Sequence, residues 1–80
     1  MKVVNLRDAI ILSLLMDESK TTDEIETRLG TQKAVTKQSL AFLKQSGLIK
    51  RKVADNKELY FLTDAGKTSI EKIFRNLGLE

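Results

Sequence analysis

A chain of 80 residues with 41% hydrophobic content and a formal net charge of +3 is long enough for one hydrophobic core and too short for two. It contains no cysteine and no histidine, which excludes disulfides, thiolate chemistry and nearly every transition-metal site. No apolar run reaches the roughly 18 residues of a membrane span, and nothing has the layout of a signal peptide, so a single cytoplasmic domain over residues 1–80, free of membrane, metal and cofactor, is expected.

The modest net charge hides an uneven distribution. Residues 1–31 sum to −2, residues 32–62 to +5 and residues 63–80 to zero. A positive middle third in a near-neutral chain is the electrostatic footprint of a polyanion binder.

In chain order, Met1–Val4 has weak strand character. Residues 5–17, NLRDAIILSLLMD, predict a first helix with Asn5 as N-cap and Asp8 in its first turn, where an acid is favourable. Its apolar residues cover more than one stripe, so the helix is expected to be largely buried or to lend a spare face to a partner. Glu18-Ser19-Lys20 reads as a loop. Thr21-Thr22-Asp23-Glu24 matches the S/T-x-x-E capping box and predicts a short acidic helix over 22–29, with Ile25 and Leu29 inward and Gly30 ending it.

Gly30-Thr31 then leads into a long helix over 32–46, QKAVTKQSLAFLKQS, closed by Gly47 in a left-handed conformation. At about 100° per residue, Val35, Ser39, Leu40, Phe42 and Leu43 are expected to face inward. Lys33, Ala34, Lys37, Gln38, Ala41, Lys44 and Gln45 are expected to face outward. Small alanines between lysines and glutamines keep that outer face slim, and its donors suit phosphates and base edges. Residues 48–62 hold two β-branched and aromatic runs around Ala54-Asp55-Asn56-Lys57 and predict a hairpin with positive φ at the turn. Thr63 caps a last helix over 64–77 with Ile70, Ile73, Phe74 and Leu77 in one stripe.

Three fragments in this order carry a resemblance: Glu24-Ile25 with Leu29-Gly30; Leu40, Leu43 and Gly47-Leu48-Ile49; and Tyr60-Phe61-Leu62-Thr63-Asp64-Ala65-Gly66. Together they resemble the second helix, the "L-x-x-L-x-x-x-G-L-I" run and the "Y-x-L-T-x-x-G" of prokaryotic winged-helix regulators of the MarR, PadR and ArsR kind, over about residues 6–70. The resemblance implies a mainly α (α+β) winged helix: a three-helix core, a two-stranded hairpin wing and a C-terminal helix. One departure is visible at Thr36, where many relatives carry an apolar residue. Another is Phe42, where they commonly carry a polar one.

In such a fold the recognition helix enters the major groove and the wing lies on the adjacent backbone or minor groove. The residues expected at DNA are Thr22, Thr31, Gln32, Lys33, Lys37, Gln38, Lys50, Arg51, Lys52 and Lys57. Strand alternation sends Lys50 and Lys52 one way and Arg51 the other. Tyr60 is expected to pack or pair across the strands in preference to stacking on a base. Ile70, Ile73, Phe74 and Leu77 are the expected homodimer contact.

The leading expectation is a homodimeric, sequence-specific regulator of transcription on double-stranded DNA. The alternative is a protein-interaction module that docks on a transcription or replication partner. Catalysis is not expected, because no second residue type completes an acid/base site and there is no Gly-rich phosphate loop.

Overall fold

The computed structural model describes residues 5–78, so the strand expected over Met1–Val4 lies outside the described residues. The elements in chain order are α1 (Leu6–Leu14), β1 (Lys20–Thr21), α2 (Thr22–Leu29), α3 (Lys33–Gln45), β2 (Ile49–Ala54), β3 (Lys57–Leu62) and α4 (Asp64–Asn76). Together they form a winged helix.

Each boundary has a local cause. Asn5 Oδ1 accepts from the Asp8 N–H at 2.8 Å and starts α1. The helix stops at Leu14, three residues short of the expected end at 17. There the Leu15 N–H is shared between the Ile11 and Leu12 carbonyls at 3.1 and 3.2 Å, and Met16 N–H reaches only Ser13 O. The winding therefore tightens to i→i−3 turns. Leu15 remains buried, so the apolar pattern outlasts the helix that carries it. At α2 the capping box is complete: Thr21 Oγ1 accepts from Glu24 N–H at 3.2 Å, and Glu24 Oε1 accepts from Thr21 N–H at 3.0 Å. Each bond satisfies a backbone donor that the first helical turn leaves orphaned.

Helix α3 ends in a Schellman motif. The Leu48 N–H bonds to Leu43 O and the Gly47 N–H to Lys44 O, both at 3.0 Å, with Gly47 at φ +77°; this is the 6→1 and 5→2 pair that uses up orphan carbonyls. The hairpin turn has φ +52° at Asp55 and +63° at Asn56. Positive φ at both positions of a two-residue loop gives the twist that antiparallel strands need.

The sheet departs from expectation by one strand. The wing is not a free two-stranded ribbon, because β1 pairs with the outer edge of β3, Lys20 with Tyr60 and Thr21 with Leu59. The sheet has three antiparallel strands in the order β1-β3-β2. Residues 20–21, read as the end of a loop and a cap, are strand as well.

The core is made by Ile11, Leu12 and Leu15 of α1 and its end, Ile25 of α2, Leu40 and Leu43 of α3, Ile49, Tyr60 and Leu62 of the sheet, and Ile70 of α4. At the junction of α3 with α4, Thr63 is bonded three ways. Its N–H donates to Leu48 O at 3.1 Å, its hydroxyl donates to Gly47 O at 2.6 Å, and the same Oγ1 accepts from Gly66 N–H at 3.1 Å. The α4 backbone is thereby drawn against the end of α3.

Candidate nucleic-acid interface

The inner line of α3 consists of Thr36, Ser39, Leu40 and Leu43, all buried. Two expectations are corrected here. Phe42, expected inward, is 39% exposed, and Val35 is only half-buried while Thr36 takes the innermost place. On a helical wheel the four buried residues cluster within about 50° of one direction, whereas Phe42 lies about 110° and Val35 about 90° from it. Hydrophobicity misplaced both Phe42 and Val35, and the innermost place falls to the polar Thr36. The hydroxyl of Thr36 is satisfied by Thr31 Oγ1 at 2.9 Å, which makes its burial tolerable. The bond also engages the Thr31 hydroxyl within the chain.

Thr36→Val keeps the shape and removes this bond. It is expected to cost about 1 kcal/mol, a fall in Tm of roughly 4–8 °C for a domain of this size, measurable by thermal denaturation.

Gln32, Lys33, Ala34, Lys37, Gln38 and Ala41 are exposed and form the outer face of α3. A groove of about 480 Å³ runs between the start of α2 (Thr22, Asp23, Glu24), the N-terminal half of α3 (Lys33, Lys37) and the wing tip (Asn56, Lys57, Glu58). Of the expected contact residues, the fold therefore brings Thr22, Lys33, Lys37 and Lys57 together around one cleft. Gln38, on the flank of that outer face, lines a second cleft with Asn5, Arg7, Asp8, Ser39 and Phe42. There Arg7 Nε donates to Ser39 Oγ at 2.7 Å and ties α1 to α3.

The wing register separates its bases. Arg51 stands opposite Tyr60, on the face that holds Ile49 and Leu62, whereas Lys50 and Lys52 stand opposite Phe61 and Leu59 on the other face. Lys50, Arg51 and Lys52 do not line the groove. Asn56 and the acids Asp23, Glu24 and Glu58 do, and composition gave no sign of them at the site.

Two of the bases have carboxylates beside them. Lys33 Nζ lies 3.9 Å from Asp23 Oδ1, and Arg51 Nη1 donates to Glu58 Oε1 at 3.1 Å. Both pairs are well exposed, and such pairs are worth about 0–1 kcal/mol. The Glu24 carboxyl is held below the usual carboxylate range, first by the Thr21 backbone N–H, then by the Thr21 hydroxyl, with Lys20 and Lys57 adding to it.

Tyr60 is buried on the core face of the sheet, which leaves its ring unavailable for stacking on a base. Burial, and secondarily the Glu58 charge, push its phenol above the ordinary value of 10.0. An acid whose pKa is raised on folding favours the native state below the unfolded pKa and loses that contribution as pH rises through the folded one. Tyr60 is the only tyrosine and tryptophan is absent, so phenolate absorbance reports this one group. Its midpoint in the native protein is expected above pH 10, falling to about 10 in denaturant.

The apolar stripe of α4 is divided. Ile70 is fully buried in the chain's own core, Ile73 and Phe74 are half-buried against it, and Leu77 is 66% exposed. Ile70 therefore offers no surface to a second copy. Helix α1, packed on α4, adds exposed Leu6 and Ile10. Among the described residues, no group of three or more acidic, histidine or cysteine side chains is placed to hold a metal ion, and no helix is long and apolar enough to cross a membrane.

A capped supporting helix, a turn, an exposed basic helix face and a hairpin tip around one groove define a winged helix-turn-helix domain of the DNA-binding transcription regulators. The chain belongs to the HxlR-like helix-turn-helix family, whose model matches residues 5–78. Among solved structures it is similar to HlyU from Vibrio cholerae at 29% identity and a TM-score of 0.80, over 90% of this chain and 79% of that one. It is also similar to the E41A mutant of ZitR from Lactococcus lactis at 26% identity and a TM-score of 0.81, over 88% of this chain and 50% of that one. PadR from Bacillus subtilis, solved in complex with operator DNA, shares the fold at 19% identity and a TM-score of 0.82, over 91% of this chain and 48% of that one. Among curated proteins none matches the sequence.

Proposed function

We propose that this DNA-binding regulator is sequence-specific and cytoplasmic, acts on double-stranded DNA as a homodimer, and carries no catalytic activity. The first half of α3 enters the major groove and presents Gln32, Lys33, Lys37 and Gln38. The wing lies over the adjacent backbone through Lys57, with Lys50, Arg51 and Lys52 as further backbone contacts, and Thr22 and Thr31 meet phosphate at the helix starts. Leu77 and the exposed parts of Ile73 and Phe74, with Leu6 and Ile10 of α1, meet the second copy.

The observation that carries this reading is the meeting of Lys33, Lys37 and Lys57 at one groove, beside a slim outer helix face whose first half carries no exposed apolar side chain larger than Ala34. Operator DNA in the PadR structure supports it through the shared fold. Anisotropy titration of a labelled duplex across a salt series tests it. Three or more phosphates neutralised per protomer, and so about six per dimer, give a log–log slope of about −5 or steeper. A docking module for a protein partner would instead show no duplex affinity at any salt concentration, and that outcome would remove the DNA reading.

A further inference from the structure

The groove holds as many carboxylates as lysines: Asp23, Glu24 and Glu58 against Lys33, Lys37 and Lys57. Carboxylates in a cleft that lies against phosphate oppose binding, so each calls for a physical reason. Glu24 has one in the backbone, since its Oε1 completes the capping box of α2. Asp23 and Glu58 face bases instead, Asp23 beside Lys33 and Glu58 bonded to Arg51. A carboxylate presents the same anionic oxygen pair to a base that a phosphate does.

Resting on the DNA-binding reading, we propose that Asp23 and Glu58 are intramolecular competitors of the DNA backbone. Each occupies, beside its base, the place a phosphate oxygen takes in the complex. Each leaves a negative charge in the groove when the base is taken over. They are positioning residues that hold down the sequence-independent part of the affinity, and so keep the chain from being retained on arbitrary DNA. Both pairs are exposed, with side-chain accessibilities of 59% and 85% for Lys33 and Asp23 and of 42% and 47% for Arg51 and Glu58. They therefore break easily and moderate binding without blocking it.

The test is an anisotropy titration of the full chain against a duplex of arbitrary sequence over a salt series, with D23N, E58Q and E71Q compared with wild type. Glu71 is exposed on α4 and does not line the groove, so E71Q removes the same charge elsewhere. Thermal melts establish that all four proteins are folded. D23N and E58Q are each expected to tighten binding about three- to tenfold at low salt. Each should also steepen the log–log slope by about 0.9 per bound protomer, the value of one further counterion released. E71Q is expected to change affinity by less than about twofold, because its charge is screened at that distance. Equal shifts in all three variants would assign the effect to net charge, and no shift in D23N and E58Q would show that the pairs are inert; either overturns the proposal while leaving DNA binding intact. A wild-type chain with no duplex affinity would overturn the DNA reading and this inference together.

Discussion

Gly66→Ala is expected to lower stability by about 3 kcal/mol, a fall in Tm of roughly 12–24 °C. A Cβ at position 66 would overlap the Leu48 carbonyl oxygen and come within 3.0 Å of Leu62 Cδ2. The carbonyl cannot swing aside, because it accepts from Thr63 N–H while Leu48 N–H is bonded to Leu43 O. Moving it would break the Thr63 junction or the Schellman end of α3. The loss is steric: Gly66 is not among the glycines with positive φ, and alanine would otherwise favour the helix by about 1 kcal/mol. Gly47→Ala provides the contrast, since nothing lies within 4 Å of its added Cβ and only the left-handed backbone at φ +77° opposes it, at about 1–2 kcal/mol. Thermal melts that ranked Gly47→Ala as the worse substitution would refute the overlap as the cause.

Lys37→Ala combined with Gln38→Ala is expected to lower affinity for the preferred DNA site about 100-fold and for arbitrary duplex only about threefold. The lost affinity at the preferred site comes from base-edge contacts worth about 1–3 kcal/mol each, whereas arbitrary duplex senses one phosphate contact fewer. Both side chains are exposed and alanine is the strongest helix former, so stability should move by no more than about 0.5 kcal/mol and the binding loss should be cleanly interpretable. The measurement is selection of bound oligonucleotides from a random pool, followed by titration of the selected site and a scrambled one. Equal losses on the two duplexes would mean that the reading face of α3 is elsewhere.

The capping box at Thr21–Glu24, the Asp55-Asn56 turn and the Gly47 stop were legible because each is a contract among residues within a few positions of one another. Strand β1 was not. Lys20 and Thr21 have no strand signal of their own and are held extended by β3, forty residues away in sequence. Val35 and Phe42 were misread for a related reason: burial along α3 follows the direction of the core, which hydrophobicity approximates but does not define. Chain order supplied the bases of the site. The fold was needed to show that Lys50, Arg51 and Lys52 do not line the groove, and that Asp23 and Glu58 line it with a base beside each.

Thr21 is at once the last residue of β1 and the N-cap of α2. The strand that flanks the wing therefore passes into the helix-turn-helix with no intervening residue, and two backbone registers and a reciprocal cap meet at one peptide. A hairpin joined to its domain only by its own two ends would swing like a tab; this one is braced on its flank, like a cantilever with a strut. The part that β1 does not flank lies beyond Leu59, the six-residue end from Val53 to Glu58, whose Asn56, Lys57 and Glu58 reach the groove. A hairpin braced at its base loses less entropy than an unbraced one when a nucleic-acid backbone arrives. The wing is thus joined by continuous backbone pairing, through β3 and β1, to the first turn of α2.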